Sequence, residues 1–213
     1  MTTTTLTPDA DALPAAERLL QTAGLLLFGE AALFMTAIML ASSMAPGYSL
    51  SAGAISDLGS IPATANLFNW SLLAVGVLNV AGGFLLYRAT SSLPVLVLFL
   101  VAGAGAAGAG LFTLGTAPGY HGLFALAAFV GFNLMPGVLA RRVSGPLRLV
   151  AVAASVVGLS YVGIMIVGDS GNDAVFGPIG HGGAERMIVY PPMLWLMAFG
   201  GYLMASASGK FQR

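Results

Sequence analysis

Six uninterrupted apolar stretches, near residues 20–44, 67–87, 94–114, 122–140, 147–167 and 187–206, leave this chain few ways to fold. Each is long enough to cross a hydrocarbon core of roughly 30 Å. Lipid offers no partner for an unpaired N–H or C=O, so a crossing segment must satisfy its backbone internally. A closed barrel would show short alternating segments, and these runs are continuous. The expected fold is all-α, an integral membrane bundle of six transmembrane helices within residues 19–207. Residues 1–18 read as a polar N-terminal tail and residues 208–213 as a short C-terminal one. A secretory signal starts basic and meets a short apolar run. Here the start carries Asp9, Asp11 and Glu17 beside Arg18, and the first apolar run is full length, so it reads as an uncleaved span.

Composition agrees. Charged residues make up 8% of the chain and hydrophobic ones 57%, with mean hydropathy +0.90. A soluble domain carries about 25% charged residues, so the first expected partner is the lipid bilayer. Net charge is zero, which argues against a nucleic-acid partner. With no cysteine, disulfides, thiol redox pairs and thiolate metal sites are excluded.

Orientation follows from Arg and Lys. If the spans alternate, Arg18, Arg88, Arg141, Arg142, Arg148, Lys210 and Arg213 share one side, and Arg186 alone lies on the other. The positive-inside rule then places both termini in the cytoplasm of a multi-pass protein of the cell membrane. The third span holds an alternating Gly/Ala run from Ala102 to Gly110. Small residues let helix backbones approach closely, so this helix is expected to be central and crowded. A glycine-lined substrate groove is the alternative reading. Such faces also suit a homo-oligomer.

Apart from the inner rim, ionisable side chains gather in three outer loops. Asp57 lies in the first, with Ser51, Ser56 and Ser60; Tyr120 and His121 lie in the second. The third runs from Asp169 and Asp173 to His181, Glu185 and Arg186. His121 and His181 with Asp57 could hold a divalent metal such as zinc and leave a position open for water. Alternatively His121, His181, Asp57 and Glu185 act as acid–base groups, or His121 and Glu185 are merely helix-terminal residues. His181 and Glu185 share a helix face only if that segment is helical, and Gly182 and Gly183 argue against it. Arg186 either pairs with Asp57 or anchors a phosphate or carboxylate head. Ser56 and Tyr120 are candidate substrate contacts, although Tyr120, like Tyr48, Trp70 and Tyr190, also suits an interfacial anchor.

Glu30 stands apart, near the middle of the first span, where an ionisable residue is costly. It is either a substrate- or proton-coupling carboxylate or a structural group hydrogen-bonded between helices. Asn69, Asn79 and Asn133 are potential partners.

The segments Ile55-Ser56-Asp57-Leu58-Gly59-Ser60 and Leu67-Phe68-Asn69-Trp70-Ser71 resemble the prokaryotic membrane family known as domain of unknown function 998. So do the turn from Pro118 to Gly122 and the Gly183-Ala184-Glu185-Arg186 segment that leads into Leu194-Trp195-Leu196. Leu114-Gly115-Thr116-Ala117-Pro118 lacks the aromatic residue that usually precedes this family's proline. The resemblance implies a six-span membrane protein, highlights Asp57, His121, Glu185 and Arg186, and supplies no reaction. Three functions are consistent with these features. The first is an outer-face site that binds, and hydrolyses or transfers, a lipid or amphiphile head. The second is a small-solute or lipid transporter using Glu30. The third is a non-catalytic membrane assembly component.

Overall fold

A computed structural model describes residues 14–208, with side chains to residue 205. The backbone closes its own hydrogen bonds in six helices: α1 (Ala15–Met44), α2 (Ala65–Thr90), α3 (Leu93–Leu111), α4 (Pro118–Leu139), α5 (Gly145–Asp169) and α6 (Gly180–Ser208). All six are long and apolar enough to cross a membrane, and the chain is a multi-pass membrane protein. Most of the expected N-terminal tail, residues 1–13, lies outside the described residues, and residues 15–18 already belong to α1. Of the C-terminal tail, 209–213 lie outside them.

Helix boundaries shift by several residues, and two of the shifts have a visible physical setting. The third helix ends at Leu111 rather than 114, because the Ala109 and Phe112 carbonyls turn towards His121 Nδ1. The sixth begins at Gly180, so the segment holding Gly182 and Gly183 is helical, against expectation. Its glycines answer a packing need. A Cβ on Gly182 would overlap the Gly53 carbonyl oxygen, and the Gly182 N–H donates to Ser51 O (2.9 Å). His181 and Glu185 are therefore one helical turn apart.

Helices α1, α2, α3, α4 and α6 close a five-membered ring, in which α6 packs on both α1 and α4. Helix α5 lies outside it, against α4 and α6. Small residues set the close approaches, as in other membrane bundles. Gly76 meets Gly103 between α2 and α3, Gly105 meets Ala128 between α3 and α4, and Gly24 meets Gly200 between α1 and α6. The Gly/Ala-rich helix is thus crowded on two sides. It is nevertheless a member of the ring, not its centre.

Proline adds a second kind of seam. Pro192 has no N–H for the carbonyl four residues earlier, Ile188 O. That carbonyl accepts Asn133 Nδ2–H from α4 (3.0 Å), which also donates to Phe129 O (2.8 Å). Asn133 Oδ1, without a hydrogen-bond partner, rests where a Cβ on Gly158 of α5 would sit. One side chain thereby joins α4, α5 and α6.

Candidate functional site

The segment between α1 and α2, residues 45–64, folds over the end of the bundle opposite the described termini. Its Ile55 and Leu58 are fully buried. Two groups hold it down. Arg186 on α6 donates through Nη1 to Leu50 O (2.8 Å), Gly53 O (3.3 Å) and Gly182 O (2.8 Å). Its Nη2 donates to Tyr48 Oη (2.8 Å), with the guanidinium 5.7 Å from the Tyr48 ring centre. Tyr48 Oη in turn donates to Ala54 O (2.7 Å). Burial pushes the Tyr48 phenol above its ordinary pKa, while the hydrogen bond and charge of Arg186 pull the other way. Glu185, one residue earlier, accepts the Ile55 N–H (2.5 Å).

Beneath this lid lie two adjacent spaces. A small chamber of about 60 Å³ sits inside the five-helix ring, walled by Phe34, Phe68, Val75, Phe132 and Ile188 among others. An open cleft of about 610 Å³ runs between α4 and α5. Ser56, His121, Ala125, Phe129 and Glu185 line both and mark the throat of the cleft, where the two spaces adjoin. Polarity is graded along the cleft. Asp57, Asp169, Ser170 and His181 lie at its polar end, while Leu126, Phe129, Val162, Met165 and Ile166 form apolar walls. Leu126 (42% exposed) and Ile166 (56%) also belong to the outside of the bundle, so the cleft opens sideways where lipid would lie.

His121 is buried in the first turn of α4. Its Nδ1 contacts Ala109 O (3.1 Å) and Phe112 O (3.0 Å), the carbonyls that α3 leaves unpaired at its end. Carbonyls only accept, so Nδ1 carries the proton and Nε2 keeps its lone pair. Nε2 makes no hydrogen bond among the described residues, and His121 lines the cleft. It is the atom by which His121 would take a proton or bind a divalent cation.

The other expected site residues are distributed unevenly. Asp57 lines the cleft, its Oδ2 accepting the Ala54 N–H (2.8 Å). His181 lines it too, but its Nε2 lies within hydrogen-bond distance of Asp169 Oδ1 (3.0 Å). Asp57 and Arg186 do not pair; the guanidinium is committed to carbonyls and Tyr48. Arg186 and Tyr120 line neither space. Tyr120 is 64% exposed beside Phe112, because inward-facing His121 turns its neighbour outward. Among the described residues no three His, Asp or Glu side chains converge as a metal site requires.

Glu30 belongs elsewhere. It is fully buried, neither oxygen has a hydrogen-bond partner, and it lines neither space. Leu27 of α1 meets Gly82 of α2, and Gly24 meets Gly200 of α6. Antiparallel register therefore puts Glu30 at the depth of Asn79 and of Leu194–Trp195. Asn79 Oδ1 and Trp195 Nε1 also lack partners.

Sequence patterns did not single out the apolar walls or Asp169. The signal was present: Val162, Met165, Ile166 and Asp169 follow i, i+3, i+4, i+7 spacing, and His121, Ala125 and Phe129 recur every fourth residue. In an all-apolar span such a stripe does not stand out. No curated protein and no solved structure matches the chain. A family model matches residues 30–202, and on that match the chain belongs to the family described as protein of unknown function (DUF998).

Proposed function

We propose that the cleft between α4 and α5 binds a lipid or other amphiphile that enters sideways from the bilayer. One observation carries this reading: one cleft holds both the outward-facing Leu126 and Ile166 and a polar throat of half-buried Ser56 with buried His121 and Glu185. An alkyl chain matches the walls, and a polar head matches the throat. The positive-inside count supports an end that faces away from the cytoplasm, so the site would belong to the outer leaflet of the cell membrane. Hydrolysis or group transfer at the head would use His121 Nε2 as a base.

The test is photolabelling in nanodiscs with a diazirine-bearing dodecyl maltoside. Adducts should concentrate in residues 122–129 and 162–166, and both Ala125→Leu and Ala125→Trp should suppress them. Labelling spread evenly over lipid-facing helices and unchanged by both substitutions overturns the reading.

Glu30 favours a second reading, a transporter with a midplane carboxylate, because both its oxygens lack partners at full burial. Buried polar groups in a membrane protein commonly mark a substrate or proton path. Glu30→Gln should then abolish proton-coupled uptake into liposomes without loss of helix content. Uptake that persists in the variant removes Glu30 from the mechanism.

A further inference from the structure

Among the described residues no Arg or Lys lines the cleft. Its ionisable lining is Asp57, Asp169, Glu185, His121 and His181. Asp169 already faces His181, whose protonation would at most neutralise that pair. The nearest cation, Arg186, is turned away, with both terminal nitrogens bonded to Leu50, Gly53, Gly182 and Tyr48 oxygens. Glu185 is buried at the throat and pairs with no cation among the described residues. The cleft therefore ranges from neutral to negative and offers no donor fork to a phosphate, sulfate or carboxylate.

Acidic lining alone would mark no site. Here it surrounds a cavity that is also lined by His121, a buried residue whose Nε2 has no hydrogen bond among the described residues. The ring is 5% exposed and its other nitrogen is fixed on α3 carbonyls. With Asp57 and Glu185 ionised, the polar atoms that they and His121 offer are acceptors, so the complementary head carries positive charge. Phe129 also lines the throat, and aromatic rings attract ammonium groups.

We propose that the cleft selects amphiphiles with an ammonium head over those with an anionic head. The proposal rests on the amphiphile reading above and names its substrate class.

The experiment is competition in phosphatidylcholine nanodiscs against the diazirine-bearing dodecyl maltoside. The competitors are dodecyltrimethylammonium, dodecylamine, dodecyl maltoside and dodecyl phosphate, each corrected for its partition into empty nanodiscs. The ammonium probes should displace the label at concentrations roughly tenfold below dodecyl phosphate, as expected when one desolvated charge pair is gained and one repulsion avoided. Glu185→Gln, which keeps an acceptor for Ile55 N–H, and Asp57→Asn should each cut that advantage severalfold. Equal displacement by all four leaves the amphiphile site standing and overturns head selection, as does preference for phosphate. No displacement by any competitor overturns the amphiphile reading itself.

Discussion

Gly158→Ala is the sharpest probe of the frame around the cleft, because Gly158 lies one helical turn below Val162 in its wall. The new methyl would occupy the place of Asn133 Oδ1. Asn133 must then leave its seat and give up its bonds to Phe129 O and Ile188 O. The second loss matters more, since Pro192 leaves Ile188 O without its helix partner. Forcing a methyl into a packed seam costs about 1–3 kcal/mol. Side-chain hydrogen bonds between membrane helices contribute roughly 0.6–1.7 kcal/mol each. The expected destabilisation is therefore roughly 2–6 kcal/mol. Unfolding in mixed micelles of rising SDS fraction, followed by the fluorescence of buried Trp195, would measure it. Gly163→Ala, where a Cβ meets nothing within 4 Å, is the control and should shift stability by no more than about 1 kcal/mol. In an Asn133→Ala background the Gly158→Ala penalty should largely disappear, since the overlapping oxygen is gone. A stable Gly158→Ala protein, or a penalty that survives removal of Asn133, would refute the reasoning.

Arg186→Ala strands the carbonyls it holds, and hydrogen bonds to charged groups contribute about 1.5–3 kcal/mol each. A loss of roughly 3 kcal/mol, with hydrogen exchange accelerating first in residues 45–64, is expected after allowance for water reaching the rim. The Tyr48 phenol, raised by burial, keeps its proton in the folded protein after an unfolded tyrosine would ionise. Its contribution is complete below about pH 10 and fades as pH climbs through the folded value. The stability gap between the wild type and Tyr48→Phe should therefore narrow in alkali. His121 is expected as the Nδ1–H tautomer. With only two histidines in the chain, nitrogen NMR of selectively labelled protein can read it directly, and a protonated Nε2 with bare Nδ1 would contradict the assignment.

Most of the fold was legible because the bilayer restricts it. Continuous apolar runs must be helices, and the end of α1 at Met44 coincides with the expected boundary. Misreadings arose where backbone met backbone. Gly182 and Gly183 looked like helix breakers, yet the Gly53 and Leu50 carbonyls approach so closely that only glycine fits at 182. The convergence of Ser56, Asp57, His121, His181 and Glu185 around one cleft could be anticipated from loop topology. Arg186 could not be placed that way. Its partners are main-chain carbonyls, which carry no residue signature, so a carboxylate seemed the natural counterpart. The lateral opening was hidden for another reason. It depends on α5 standing outside the ring, a packing choice that six similarly apolar helices do not encode in their periodicity.

The central claim concerns the space between α4 and α5, and a high-resolution cryo-electron microscopy structure in lipid nanodiscs tests it most directly. The expected result is elongated non-protein density that enters between Leu126 and Ile166 and ends with its head beside His121 and Glu185. A cleft closed by direct contact of α4 with α5, with lipid density confined to the outside of the bundle, would contradict it.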